Sequence, residues 1–372
     1  MTKIFGNVFK GRKVLVTGHT GFKGSWLSLW LTALGAEVIG YSAYFPSTPC
    51  NFKVCGLDKH VTHVEGDIGN LNMLTNVFKK YKPEIVFHLA AQPIVRESYR
   101  NPKLTFDTNI GGTVNILECI RSTTSVKAAV IITSDKCYRN MEWVWGYKEN
   151  DILGGDDPYS ASKGCAEIIC NSYIKSFFSD RKNLPRIATA RAGNVIGGGD
   201  WAVDRIVPDS VRAFSEGKQV VIRNPNATRP WQHVLEPLSG YLWLAAHLLN
   251  SPRLHGEAFN FGPDHKVDKS VAELLTDFSA YWSGKAKCKL VNKRDNRKES
   301  MLLKLSCDKA LNLLDWSATL PFEDTIRFTA EWYTSYYRGK KGMFDYSMAQ
   351  IKDYTNKALE TNNAWARGVF ND

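Results

Sequence analysis

Tyr159 and Lys163 are four residues apart, directly after Asp157-Pro158. On a helix that spacing puts the phenol and the ammonium on one face, a turn apart. An ammonium so close favours the phenolate and lowers the pKa of the phenol. The phenol then becomes a usable acid or base near neutral pH, which a free tyrosine is not. A glycine-rich turn near the start of the chain adds a place for a dinucleotide, so the pair points to hydride chemistry at a hydroxyl-bearing carbon.

That turn is Thr17-Gly18-His19-Thr20-Gly21-Phe22-Lys23-Gly24, between the apolar run Lys13–Thr17 and a helical stretch Ser25–Leu34 that stops at Gly35. Glycines there permit a tight turn and close backbone approach to a pyrophosphate. A P-loop is excluded by order, because Lys23 precedes Gly24 instead of following it. An Asp or Glu about 20 residues on would bind the ribose hydroxyls. Here the second strand ends Gly40-Tyr41-Ser42, with neither an acid nor an arginine. NAD is the expected cofactor, held without that acid.

Short apolar runs at 13–17, 36–41, 61–65, 85–89, 128–133 and 187–190 alternate with amphipathic stretches at 71–80, 102–121 and 160–178. Such alternation predicts an α/β fold, a Rossmann-type doubly wound parallel sheet. Beyond residue 193 the pattern loosens, with helices expected at 208–216, 237–249, 271–282 and 323–336 and strands at 219–223 and 258–261. The expected organisation is a dinucleotide-binding domain over 10–193 and a smaller mixed α/β substrate lobe over 194–340, with segments returning to the first domain. Residues 341–372 form a C-terminal extension that the pattern does not place.

Composition narrows the partners. At 372 residues with 44% hydrophobic and 23% charged content, the chain is ordinary for a globular protein. No apolar run approaches the roughly 20 residues of a membrane span, and Met1–Lys13 lacks the apolar core of a secretory signal, so a cytoplasmic protein without membrane contact is expected. The net charge of +11 suits either nucleic acid or small anionic substrates. Its one local cluster, Lys293-Arg294-Asp295-Asn296-Arg297-Lys298, carries no nucleic-acid motif, which favours a solvated surface or substrate phosphates. The eight cysteines form no CxxC pair, and no metal site is expected.

The glycine turn, Asp67-Ile68, His88-Leu89-Ala90-Ala91-Gln92, Asn109, Ser134-Asp135-Lys136 and the Tyr159/Lys163 pair occur in an order that resembles the extended short-chain dehydrogenase/reductases over about residues 10–340. Within them the chain is similar to the nucleotide-sugar 4,6-dehydratases, most of all those acting on CDP-glucose. The residues carrying that narrower likeness are Gly18–Ser25, Ser134–Tyr138 and Arg229-Pro230-Trp231-Gln232-His233-Val234.

The resemblance implies that Gly18, His19, Thr20, Gly21, Phe22, Lys23 and Gly24 meet NAD, that Asp67 and Ile68 meet its adenine, and that Leu89, Ala90 and Ala91 line it. Thr108 and Asn109 would lie near the nicotinamide half. It also implies a redox-neutral reaction in which carbon 4 of the sugar is oxidised, water leaves across carbons 5 and 6, and the hydride returns to carbon 6. Oxidation comes first because an unactivated carbon-5 proton is too weak an acid for a side-chain base.

Tyr159 would take the hydroxyl proton, Lys163 would hold ribose and tune the phenol, and Ser134 would share the proton or polarise the ketone. Asp135 would protonate the leaving hydroxyl if burial raised its pKa. Lys136 stands where the dTDP-glucose enzymes carry a glutamate, and takes the elimination step as base if its neighbours lower its pKa, or as enolate stabiliser while another group takes the proton. A salt bridge to Asp135 is the competing use for it. For the substrate, CDP-glucose or a related nucleotide sugar, the candidates are Gln92, Arg96, Asn194, Arg205 and Arg229. The planar fork of Arg229 suits a diphosphate, whereas Arg205 could be a surface residue. His19 and His233 have no metal-like partners, which points to polar packing.

Three other readings remain open: a 4-epimerase, which would have no need of the Asp135-Lys136 pair, a reductase, and a dinucleotide-sensing regulator on the same sheet. A homodimer or homotetramer is expected, formed by the stretches 102–121 and 160–178.

Overall fold

The structure is a computed structural model that describes residues 3–179, 185–222, 224–264, 267–282, 287–290 and 302–370. The basic cluster at 293–298 lies outside the described residues, as does Arg223 at the end of the strand expected there. Six strands, β1 (Lys13–Thr17), β2 (Glu37–Ser42), β3 (Thr62–Glu65), β4 (Ile85–His88), β5 (Ala128–Ile132) and β6 (Arg186–Arg191), join Ala258–Asn260 in one seven-stranded sheet. Its order is Ala258–Asn260, β6, β5, β4, β1, β2, β3, and every pairing is parallel. The doubly wound Rossmann-type expectation therefore holds.

Both faces of the sheet are covered, which is why β4 and β5 read as unbroken apolar runs. The period-2 alternation still sorts side chains to opposite faces. Val14, Val16, Phe87 and Val130 join the core packed by helices Phe22–Ala33 and Leu235–Asn250. Leu15, Val86, Ala129 and Ile131 join the opposite core, with Leu74 and Phe78 of Leu71–Tyr81, Ile116 and Leu117 of Gly112–Arg121, and Cys170 and Ile174 of Pro158–Phe177.

Three elements depart from the sequence expectation. The first helix starts at Phe22, not Ser25, because Gly21 takes an extended cap conformation (φ −70°, ψ 168°) and the helix begins inside the glycine turn. The stretch 102–121 is α-helical at Pro102–Phe106 and Gly112–Arg121, with a wider π turn at Asp107–Gly111 between them. The unplaced C-terminus forms helices Met343–Glu360 and Ala364–Arg367. Trp365 stacks on Phe5 with ring centroids 5.0 Å apart and on Tyr354 at 5.5 Å, so this segment belongs to the main core. Alternating aromatic and polar residues concealed that helical face.

Around the carboxyl ends of the strands, helix Ile206–Ser215 and the parallel pair Gln219–Ile222 with Lys287–Leu290 build a wall beyond the sheet. A cavity of about 1060 Å³ lies between that wall and the strand ends, where open α/β sheets bind ligands. Single small-molecule sites run to roughly 300–1,000 Å³, so this one is at the large end of that range.

Candidate active site

The floor of the cavity is the glycine turn, and its geometry follows from missing side chains. Gly18 has φ +73°, a left-handed conformation open to glycine, and a Cβ on it would sit 2.8 Å from the nitrogen of Ala90. A Cβ on Gly24 would come within 2.2 Å of the Gly18 carbonyl oxygen. Thr20, Gly21 and Phe22 also line the cavity.

His19 does not. Its ring is buried behind the turn, with Nε2 2.8 Å from His63 Nδ1 and Nδ1 3.0 Å from Ser42 Oγ. Burial pushes it down to about 3, with the charge of His63 adding to the effect. The bare Cα of Gly40 makes room for it: a Cβ there would lie 2.1 Å from the imidazole. The His19 ring therefore packs the turn from behind.

Along the floor, Thr17 Oγ1 accepts the N–H groups of Leu89 and Ala90, each at 3.2 Å, and lies 2.7 Å from His88 Nδ1. An oxygen already accepting twice gives its own hydrogen to that nitrogen, which fixes His88 as a neutral ring. Burial agrees, pushing His88 down to about 3. Leu89, Ala90, Ala91 and Thr108 line the cavity. Asp67 and Ile68 lie at its far end; Asp67 Oδ1 accepts the N–H of Gly69 at 2.7 Å, and its carbonyl accepts the Tyr41 hydroxyl at 2.9 Å.

Asn109, expected beside the nicotinamide, is instead a clamp. Its amide donates to Ser162 Oγ at 2.8 Å and to the Gln92 carbonyl at 3.2 Å, while its oxygen accepts the N–H of Gln92. The π turn rotates Thr108 toward the cavity and Asn109 into this clamp, a common use of such turns. Gln92 borders the cavity, but its amide is held by its own loop and helix Pro102–Phe106, donating to Thr105 Oγ1 at 2.9 Å and accepting from Ile94 N–H at 2.6 Å.

At the carboxyl end of β5 the chain turns through Ser134 into a 3-10 turn at Asp135–Cys137. Ser134 Oγ donates to Asp135 Oδ1 at 2.8 Å and accepts the Lys136 N–H at 3.2 Å. Opposite them, helix Pro158–Phe177 begins with proline in its first turn and Asp157 as cap, its carboxylate accepting Ser160 N–H at 3.0 Å. This start aims Tyr159 and Lys163 at the β5 turn, and Tyr159 and Ser134 both line the cavity there.

The phenol is pushed up to about 12 by burial; the Ser134 hydrogen bond and the charge of Arg205 pull the other way. Burial also pushes Lys163 down to about 8, opposed by Glu167. This corrects the expectation from spacing. Desolvation outweighs the neighbouring ammonium.

Lys136 is half-buried on the cavity wall and makes no ion pair among the described residues, so the alternative bridge to Asp135 does not form. Asn194, at φ +52°, directs Nδ2 to Asp135 Oδ2 at 3.5 Å. Arg96, Arg205 and Arg229 all line the cavity. Arg96 pairs with Asp204 across it, Arg205 with Asp200 at 2.8 Å, and Arg229 donates to the Thr228 carbonyl at 2.7 Å. Arg205 is thus a site residue whose field reaches Tyr159 and Lys23.

Two features escaped sequence reasoning. Lys23 was assigned with its loop to the cofactor, yet its side chain lies within the fields of Asp135, Arg205 and Lys163, and burial pushes it down to about 8. Glu167, one further turn along the helix from Lys163, is 4% exposed and accepts from Thr133 Oγ1, from Thr189 Oγ1 at 2.8 Å and from Arg191 Nη2 at 2.8 Å. It bolts the helix of Tyr159 to the ends of β5 and β6. Continuing the spacing of four from Tyr159 to Lys163 would have found it.

Residues 15–329 match the GDP-mannose 4,6 dehydratase family. The chain belongs to that family. It is 46% identical over 351 residues to a CDP-glucose 4,6-dehydratase of Salmonella typhimurium, covering 94% of this chain and 97% of the relative. A CDP-paratose 2-epimerase of Salmonella typhi is 25% identical, covering 87% and 99%. Among solved structures, the epimerase Mth375 of Methanothermobacter thermautotrophicus superposes with a TM-score of 0.78 at 25% identity, covering 91% and 97%. A dTDP-glucose 4,6-dehydratase of Bacillus anthracis in complex with NAD gives 0.71 at 24% identity, covering 87% and 97%.

Proposed function

We propose that this protein is an NAD-dependent lyase that converts CDP-glucose to CDP-4-keto-6-deoxyglucose and water. The observation that carries the reading is the placement of Asp135 and Lys136 beside the Ser134–Tyr159 pair on one cavity wall. An epimerase eliminates nothing and has no use for the extra acid and base. The 46% identity to a CDP-glucose enzyme over nearly the whole chain supports the same substrate.

The glycine turn fits a dinucleotide, because the absent Cβ atoms of Gly18 and Gly24 leave bare backbone where a pyrophosphate must approach closely. Gly18, Gly21 and Gly24 would hold it, with Asp67 and Ile68 at the adenine end and Lys163 at the nicotinamide ribose. When bound, NAD accepts the hydride of carbon 4 and gives it back at carbon 6. The chain supplies geometry and proton movement.

Tyr159 and Ser134 draw the proton from the carbon-4 hydroxyl. The resulting ketone acidifies carbon 5, whose proton Lys136 takes. Asp135 protonates the departing carbon-6 hydroxyl, steadied by Asn194. Arg205 and Arg229 face the diphosphate, and Arg96 narrows the cleft.

The product is a precursor for deoxysugars of the O-antigen type, made in the cytoplasm. Helices Gly112–Arg121 and Pro158–Phe177 serve a homodimer or homotetramer. The test offers CDP-, dTDP-, GDP- and UDP-glucose separately with NAD and follows mass. Water is lost from CDP-glucose; no loss from any of them overturns the dehydratase reading, and a preference for dTDP-glucose overturns the base.

A further inference from the structure

Asp135 lies between two cavities. It lines the large one and also a second of about 20 Å³, and Asp135, Gly193 and Asn194 form the partition that the two share. The partition is thin because Gly193 has no side chain: a Cβ there would lie 1.9 Å from Asp135 Oδ2. Asn194, in a left-handed turn at φ +52°, directs Nδ2 to the same oxygen at 3.5 Å.

Beyond that turn Val195–Ile196 pairs in parallel with Gln232–His233, which brings Gln232 to the wall of the small cavity. Gln232 is 1% exposed. Its Nε2 donates to the carbonyls of Gly193 at 2.9 Å and Phe261 at 3.1 Å. Two carbonyl acceptors settle which end of the amide is nitrogen and use both of its hydrogens. The other end, Oε1, is buried with no hydrogen-bond partner among the described residues. A buried acceptor calls for a donor.

The small cavity suits one. A water needs roughly 10–15 Å³ of such space and two to four polar partners. Gln232 Oε1 and the Asp135 carboxylate offer an acceptor for each of its hydrogens. From these buried groups the wall runs out to the part-exposed Lys304 and the exposed Asp264, so the site has a mouth on the surface.

We propose that this cavity holds a water molecule, hydrogen-bonded to Gln232 Oε1 and Asp135, through which Asp135 regains the proton it gives to the carbon-6 hydroxyl. The inference rests on the dehydratase reading above and adds the route by which its acid is reloaded; Gln232 is a positioning residue for that route. In the elimination the Asp135 O–H bond breaks toward the departing oxygen, which leaves as water, and Asp135 is left a carboxylate. The buried water then gives a hydrogen to the carboxylate, one O–H bond breaking as the other forms. Its oxygen takes a hydrogen back from solvent at the mouth. The proton drawn from the carbon-4 hydroxyl is released to solvent from the large cavity, and Lys136 returns its own to carbon 5. Each turnover thus takes in one proton and gives one out.

The test plugs the cavity from the wall away from Asp135. Gly262 lines it, and a Cβ there would meet Cys307 Sγ at 3.4 Å and Leu305 Cβ at 3.7 Å, which are ordinary contacts. Gly262→Ala therefore fills the site and leaves Ser134, Gly193 and Asn194 in place against Asp135. A wild-type crystal at a resolution that shows buried solvent should hold a water within hydrogen-bond reach of Gln232 Oε1 and Asp135, and the Gly262→Ala crystal should not. During steady turnover of CDP-glucose, the variant should accumulate reduced nicotinamide and a 4-keto sugar that keeps its carbon-6 oxygen. Its water loss should fall roughly 10²-fold, the low end of a general acid's contribution. With CDP-6-deoxy-6-fluoroglucose, whose leaving fluoride has little need of an acid, the variant should match wild type, a split that general damage to the site would not produce. The proposal is overturned if the wild-type crystal shows no water there, if Gly262→Ala loses water as fast as wild type, or if fluoride loss is slowed as much as water loss. Failure of the wild type to dehydrate any nucleotide sugar strikes the function instead, and the crystallographic water still tests the site.

Discussion

Gly18 and Ala90 meet backbone to backbone: a single methyl on Gly18 would stand 2.8 Å from the Ala90 nitrogen and 2.9 Å from its Cα. Those two strand ends, β1 and β4, form the floor on which a pyrophosphate would lie. Gly18→Ala combines a forbidden contact with a left-handed φ, which costs about 1–3 kcal/mol for a residue with a side chain. The variant should unfold at a lower urea midpoint and bind NAD at least ~10-fold more weakly, both followed by intrinsic fluorescence. Unchanged NAD affinity would mean that the dinucleotide lies elsewhere.

Lys136 lines the cavity without an ion-pair partner among the described residues, so its side chain is available to the sugar. Lys136→Ala should still oxidise carbon 4, seen as reduced nicotinamide, while water loss falls by roughly 10²–10⁴-fold. Exchange of the carbon-5 hydrogen with deuterated solvent should vanish in Lys136→Ala. Normal turnover of Lys136→Ala would remove the residue from the mechanism.

Glu167 and Arg191 are paired at 2.8 Å with 4% and 3% of their side chains exposed. Removing one partner leaves the other charge buried, typically at a cost of about 3–5 kcal/mol. Glu167→Gln should therefore lower the urea midpoint sharply. Glu167→Gln with Arg191→Met should recover much of the loss, since neither charge then remains. If the double variant is no more stable than the single one, the pair is not what ties helix Pro158–Phe177 to β5 and β6.

The sheet was legible because its strands are apolar runs spaced by amphipathic helices, and covered parallel strands have little freedom to read otherwise. The candidate pair was legible through spacing, since Tyr159 and Lys163 lie on one helical face and both line the cavity. The sign of the phenol shift was not. Spacing reports the neighbouring ammonium but says nothing of desolvation, which depends on how the whole fold buries Tyr159. His19 and Asn109 show the same limit. A motif places a residue in a loop, while the missing Cβ of Gly40 and the π turn at Asp107–Gly111 decide which way its side chain faces. The C-terminal helices were hidden because their contacts, such as Trp365 on Phe5, join opposite ends of the chain.

Acid stability follows from four histidines. Burial pushes His19, His88 and His233 down to about 3 and His247 to about 4, from an ordinary value of 6.5. Between those limits the unfolded chain binds protons that the folded chain refuses, so stability is full above about 6.5 and is lost as pH falls toward 3. Each group contributes a slope of at most ~1.4 kcal/mol per pH unit in that window. Glu236 works against them: burial pushes its carboxyl up to about 7, so the fold gains stability as pH falls from 7 to 4.5. Burial also raises Glu149 and Asp209 in the same direction as Glu236, but these carboxyls do not offset four imidazoles, and the urea midpoint should be lower at pH 5 than at pH 7. His88→Asn, which removes one of the four, should show a smaller difference between the two midpoints. A midpoint that rises on acidification would show that these rings take up protons inside the fold.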